Sequence, residues 1–88
     1  MYLHLGNGVM VRRDDILSVC DLDITSQSFR TREFLNRAEK AGEIINVAEE
    51  ELPKSFVVCS DGAGQKVYLC QLNSSTLLKR SETTGVEF

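Results

Sequence analysis

The side chains in this chain whose types and spacing suggest a chemical task are cationic. Arg12-Arg13 follows an apolar run, Lys54 stands between the single proline and Phe56-Val57-Val58, and Arg30, Arg32 and Arg37 fall in one short stretch. Such groups neutralise phosphate by charge, and arginine adds a planar fork of donors that fits phosphate oxygens. Proline has no N–H to give to a sheet, so Pro53 belongs at the start of a strand and not in its middle. Lys54 and Ser55 then sit where a side chain can reach a ligand while the strand below stays rigid. The plainer reading is a solvated lysine at a strand start. Arg30, Arg37 and Lys40 interleave with Glu33, the ordinary pattern of a solvated helix face.

Catalytic chemistry has few candidates. His4 is the sole histidine, so Ser-His-Asp or Cys-His catalysis would have to use it. Asp14-Asp15 could bind a cation, but adjacent carboxylates in a loop more often cap a turn or pair with neighbours such as Arg12 and Arg13. Gly62-Ala63-Gly64 lacks the following helix and third glycine of a dinucleotide site, and there is no Walker A lysine. An enzyme or small-molecule sensor would need His4 or Asp14-Asp15 to converge with partners in a pocket. The expectation is a non-enzyme without cofactor. Cys20, Cys59 and Cys70 are odd in number and none forms Cys-x-x-Cys, so neither a disulfide framework nor a zinc site is expected. Each lies in an apolar run and acts as a small hydrophobe, which fits a reducing cytoplasm.

The chain has 88 residues, 42% of them hydrophobic, with net charge −3. That length suits one small domain. The mild acidity argues against general attraction to nucleic acid or anionic membrane, and leaves room for a local basic patch. Met1-Tyr2-Leu3-His4-Leu5 lacks the basic start and long apolar core of a signal peptide. No run approaches the roughly 20 apolar residues that span a bilayer. The expected location is the cytoplasm.

The elements that must hold these residues follow from pattern. Tyr2-Leu3-His4-Leu5 and Val9-Met10-Val11 flank Gly6-Asn7-Gly8, a hairpin with His4 on one face and Leu3 and Leu5 on the other. Ile16-Leu17-Ser18-Val19-Cys20 reads as a third strand covered on both faces. The polar run Thr25-Ser26-Gln27-Ser28 opens a helix that starts between Ser28 and Thr31 and ends near Ala41, with Phe34, Leu35, Ala38 and Ala41 as its apolar face and Gly42 just past its end. Ile44-Ile45-Asn46-Val47, Ser55 to Cys59 and Lys66 to Cys70 are three further strands, the last two joined by the glycine loop Asp61-Gly62-Ala63-Gly64-Gln65. Asn73-Ser74-Ser75 caps a short helix from Thr76 to Arg80, and Ser81 to Phe88 is read as a loose tail. The fold class is α+β: a mostly antiparallel sheet of about six strands, one main helix and a short C-terminal helix, in a single domain over 1–80. One helix cannot cover so much apolar sheet, so copies of the chain are expected to cover the remainder.

These blocks carry a resemblance. Tyr2-Leu3-His4-Leu5-Gly6, Asp15-Ile16-Leu17, Glu33-Phe34-Leu35, Ala38-Glu39, Leu52-Pro53-Lys54-Ser55-Phe56-Val57-Val58 and Ser74-Ser75-Thr76-Leu77-Leu78-Lys79-Arg80 fall in the order seen in the RemA/RemB family of small bacterial regulators, and resemble its RemB branch. The likeness runs from the start of the chain to about Arg80. It implies a cytoplasmic transcriptional regulator of biofilm-matrix genes that assembles into a ring of identical subunits with basic residues facing DNA. Carried over by position, Arg12, Arg13 and Lys54 would contact phosphate, with Arg30, Arg32 and Arg37 as helpers. Where RemA-type proteins have an arginine-rich loop, this chain reads Leu52-Pro53-Lys54-Ser55, so only Lys54 keeps a positive charge, and Glu49-Glu50-Glu51 lies just upstream. The alternative is a cytoplasmic protein-interaction or scaffold module that does not touch DNA and whose partner is a RemA-like protein or another component.

Overall fold

A computed structural model describes residues 2–22 and 29–79. The hydroxyl-rich run at 25–28, Arg80 and the stretch 81–88 lie outside the described residues. The elements are β1 (Tyr2–Gly6), β2 (Val9–Arg12), a 3-10 turn (Arg13–Asp15), β3 (Ile16–Asp21), α1 (Phe29–Lys40), β4 (Ile44–Asn46), β5 (Ser55–Ser60) and β6 (Gln65–Cys70). A short helix, α2, follows over 74–79. This is the α+β arrangement expected, with its strands divided between two sheets: a β1-β2 hairpin and a four-stranded sheet in the order β3-β5-β6-β4. The pairings are antiparallel except β4 with β6.

The hairpin turn forms because Asn7 and Gly8 both tolerate positive φ, 49° and 78° respectively, the requirement of a two-residue turn matched to strand twist. Asn7 also donates from Nδ2 to the Val47 carbonyl at 2.6 Å, which ties the hairpin tip to the chain leaving β4. Gly42, at φ 74°, closes α1, and the Glu43 N–H reaches back to the Ala38 carbonyl at 2.9 Å. The helix therefore stops at Lys40, and Ala41 is exposed beyond it instead of lying on the apolar face. Asn73 caps α2 by accepting from the Thr76 N–H at 2.8 Å, as residues of this type do at helix starts.

Alternation along β5 builds two cores, since successive side chains point to opposite faces. Phe56 and Val58, with Val67 of β6, pack under Ala38, Phe34 and Leu35 of α1. Val57 and Cys59, with Cys70, pack against Leu3, Leu5 and Val11 of the hairpin and Leu77 of α2. Both faces of the four-stranded sheet are thus covered within one chain, contrary to the expectation that copies must supply the cover. The hairpin, read as part of the same sheet, is the missing lid. β3 is also not doubly buried. It is an edge strand, with Ser18 exposed and Leu17 64% exposed.

Among the described residues, Ser55 is the one polar residue buried in the core. Its hydroxyl donates to the Leu72 carbonyl at 2.6 Å and fixes the chain that leaves β6 for α2. Ser55→Ala should leave that carbonyl unsatisfied and lower stability by about 1–3 kcal/mol. A urea unfolding curve with an unchanged midpoint would show that the bond does not matter.

Candidate nucleic-acid interface

The register of β3 on β5 decides where the cations lie. Ile16 stands opposite Cys59 and Asp21 opposite Ser55. Arg12 and Arg13, which lead into β3, are therefore at the Cys59 end. Lys54, which leads into β5, is at the Ser55 end, roughly 15 Å away at the rise of a strand. Lys54 is exposed. Its backbone is held on both sides, the N–H donating to the Cys70 carbonyl at 2.8 Å and the carbonyl accepting from the Leu22 N–H at 2.9 Å. The mount is as rigid as Pro53 implied, but Arg12 and Arg13 are not beside it.

Arg12 is exposed at the end of β2, paired across the hairpin with Tyr2. Arg13 is half-buried in the 3-10 turn and lines a shallow groove with Asp14, Leu17 and Leu78. The helix divides its arginines: Arg30 and Arg37, seven residues apart, share a face, and Arg32 does not. Arg37 pairs with Glu33 one turn earlier. Arg30 borders a groove floored by Phe56 and Val58 and walled by Leu17, Cys20 and Phe34. Arg32 lies by Phe29, Glu33 and Asn36, about 160° round the helix from Arg30 at 3.6 residues per turn. The six cations singled out from sequence so occupy the two ends of the sheet and separate faces of α1. Sequence spacing hid this, because strand order and register, not chain distance, set the separation.

Sequence reasoning missed a cleft between the hairpin and the sheet. Its volume is about 240 Å³, and Arg12, Asp15, Asp61, Lys66 and the rings of Tyr2 and Tyr68 line it. Lys66 and Tyr68 are two apart on β6, so they share the face that meets the hairpin. Alternation was readable in the sequence; the hairpin's position over that face was not. Burial pushes the Cys59 thiol at the floor up to about 11, with Asp15 and Asp61 adding to the rise. Burial also raises the Tyr68 hydroxyl, helped by the negative charge of Cys59, Asp61 and Asp15. His4 is exposed on the outer side of β1, facing away from Leu3 and Leu5, so it is Asp15 and not the histidine that reaches a concave site.

No helix among the described residues is long and apolar enough to cross a membrane. A search of curated proteins finds no match to the chain. A family model described as RemA-like, "Extracellular matrix regulatory protein A-like", matches residues 2–80. Because that match spans nearly the whole chain, the chain belongs to this RemA-like family of extracellular matrix regulatory proteins.

Proposed function

We propose that this protein is a cytoplasmic, non-enzymatic regulator of matrix genes, of the RemB branch, which acts on DNA as a homo-oligomeric ring and needs no cofactor. The family match over residues 2–80 carries this reading. A single subunit offers only one or two phosphate contacts at each end of the sheet, and each contributes about −0.9 to the slope of log K against log salt. Assembly multiplies them: a ring of about six to eight copies turns weak contacts into useful avidity. The edge strand β3 supports such assembly. Among the described residues it lies at an edge of the sheet and exposes Leu17, features that single chains normally protect. Arg12, Arg13 and Lys54 are the phosphate contacts, with Arg30, Arg32 and Arg37 as lesser ones.

A second reading is favoured by the carboxylates beside the cations. Asp14 and Asp15 follow Arg12 and Arg13, and Glu49, Glu50 and Glu51 precede Lys54. In that reading the protein is a scaffold that binds a RemA-like protein without touching DNA. Mass-resolved chromatography with a promoter fragment, and a mobility shift at two salt concentrations, separate the two. The expected result is a multimer that retards DNA at about 50 mM salt and loses most of that retardation by about 200 mM. Arg12→Ala/Arg13→Ala and Lys54→Ala should each abolish the shift while the mass stays constant. A monomer, or no retardation at the lower salt, would overturn the proposal. Pull-down of a protein partner without nucleic acid would establish the scaffold instead.

A further inference from the structure

Apart from Arg12, the residues of the cleft between the hairpin and the sheet have no role in either reading. Four charged side chains line it, Arg12 and Lys66 of one sign and Asp15 and Asp61 of the other. Among the described residues none of the four is ion-paired with another; the one salt bridge there is Arg37 with Glu33, on the helix. Opposite charges that line one concavity and do not neutralise each other leave both signs available to a guest. Asp61 is held in place, since one of its oxygens accepts from the Ala63 N–H at 3.0 Å. Tyr2 and Tyr68 supply ring faces, which attract both apolar groups and cations.

The size narrows the guest. At about 240 Å³ the cleft exceeds the ~150 Å³ that encloses a single benzene and falls short of the ~300 Å³ at which drug-sized sites begin. That is room for one ring or a branched alkyl group with a small charged end. Asp15 and Asp61 in the lining give a cationic group two carboxylates to face.

We propose that this cleft binds a small zwitterion, a free α-amino acid with an apolar side chain, its ammonium directed to Asp15 and Asp61 beside Tyr68 and its carboxylate to Arg12 and Lys66. This inference stands independently of DNA binding. It gives the family fold a place to sense a metabolite, and Arg12 is common to the cleft and to the candidate phosphate contacts.

The test is titration of the full chain with L-phenylalanine, L-leucine and L-methionine, followed by calorimetry and by backbone amide shifts in NMR. At least one should saturate, with shifts confined to residues around Tyr2, Val11, Cys59 and Tyr68. Phenylalaninamide lacks the carboxylate and N-acetylphenylalanine lacks the ammonium; each should bind about tenfold or more weakly than the parent amino acid, the scale of one charged contact. Lys66→Gln should weaken the amino acid but not its amide. Asp61→Asn, which keeps the acceptor for Ala63, should weaken the amino acid but not its N-acetyl form. Unchanged thermal unfolding would show that both variants fold. No shift at the cleft with any of the three at about 10 mM, far above the affinity such a site supports, would overturn the proposal. So would an amide or N-acetyl form that binds as tightly as the parent.

Discussion

Leu5→Ala is expected to lower the free energy of unfolding by about 2–5 kcal/mol, the range for truncating a fully buried leucine. Leu5 is 0% exposed and lies among Leu3, Val57, Cys59, Cys70 and Leu77. Its position matters more than its area. The β1-β2 hairpin forms its own two-stranded sheet and shares no ladder with the other four strands. A lone hairpin is marginal in water, so the side chains beneath it and the Asn7 bond to Val47 are what keep it docked. Small domains have only about 5–15 kcal/mol in hand, and loss of this contact should be felt through the whole fold. Urea unfolding gives the magnitude, and hydrogen exchange at the hairpin amides should accelerate. Leu52→Ala, at a site 84% exposed, should change stability by no more than about 0.5 kcal/mol. A Leu5→Ala loss below about 1 kcal/mol, well under the range for a buried leucine, would mean that the hairpin is not seated as described.

Above pH 9 the protein should lose stability steeply. Burial pushes the Cys70 thiol up to about 11, with Cys59 adding to the rise, and Cys59 is displaced to about the same value by burial, then by Asp15 and Asp61. In the unfolded chain both thiols ionise near their ordinary value of 9.0. Below that pH both states hold the protons and the thiols add no pH dependence. Between about 9 and 11 the unfolded chain releases protons first, so it gains free energy that the folded chain does not. Above about 11 both states are ionised and the loss is complete, on the order of 2–3 kcal/mol for each thiol. Denaturation midpoints across this window measure it, and Cys70→Ala should remove about half of the slope. At pH 8 the same displacement leaves about one thiolate in a thousand, so iodoacetamide should spare Cys59 and Cys70 in the folded protein. Rapid alkylation of both, with the fold intact, would contradict the burial that underlies the prediction.

Local chemistry was legible in the sequence where a residue type permits few conformations. Asn7-Gly8 gave the hairpin turn, Gly42 the end of α1, Asn73 the start of α2 and Pro53 the approach to β5. Partnership between distant segments was not. Ile16 to Cys20 has the apolar letters of a doubly covered strand, but among the described residues it pairs on one edge only and leaves Leu17 in the open. The hairpin was recognised, while its separate sheet and its role as the lid over Val57 and Cys59 depend on packing that periodicity does not encode. The candidate site divides in the same way. Arg12, Arg13 and Lys54 were found as charges, but the β3-β5 register puts them at opposite ends. The cleft needed the third dimension, since Tyr2, Asp15 and the pair Asp61 and Lys66 come from three separate stretches of chain.

The order β3-β5-β6-β4 has a consequence for how the chain is made. β3 and β4 lie at opposite margins of the sheet, and the two strands that join them come later in the sequence. When a ribosome has released only the first fifty residues, it has exposed two margins with nothing between them. The β5-β6 pair must then slide in as a wedge before either margin finds a partner. Synthesis, and not only refolding, should therefore pass through a stage in which the N-terminal half waits unassembled and open to chaperones.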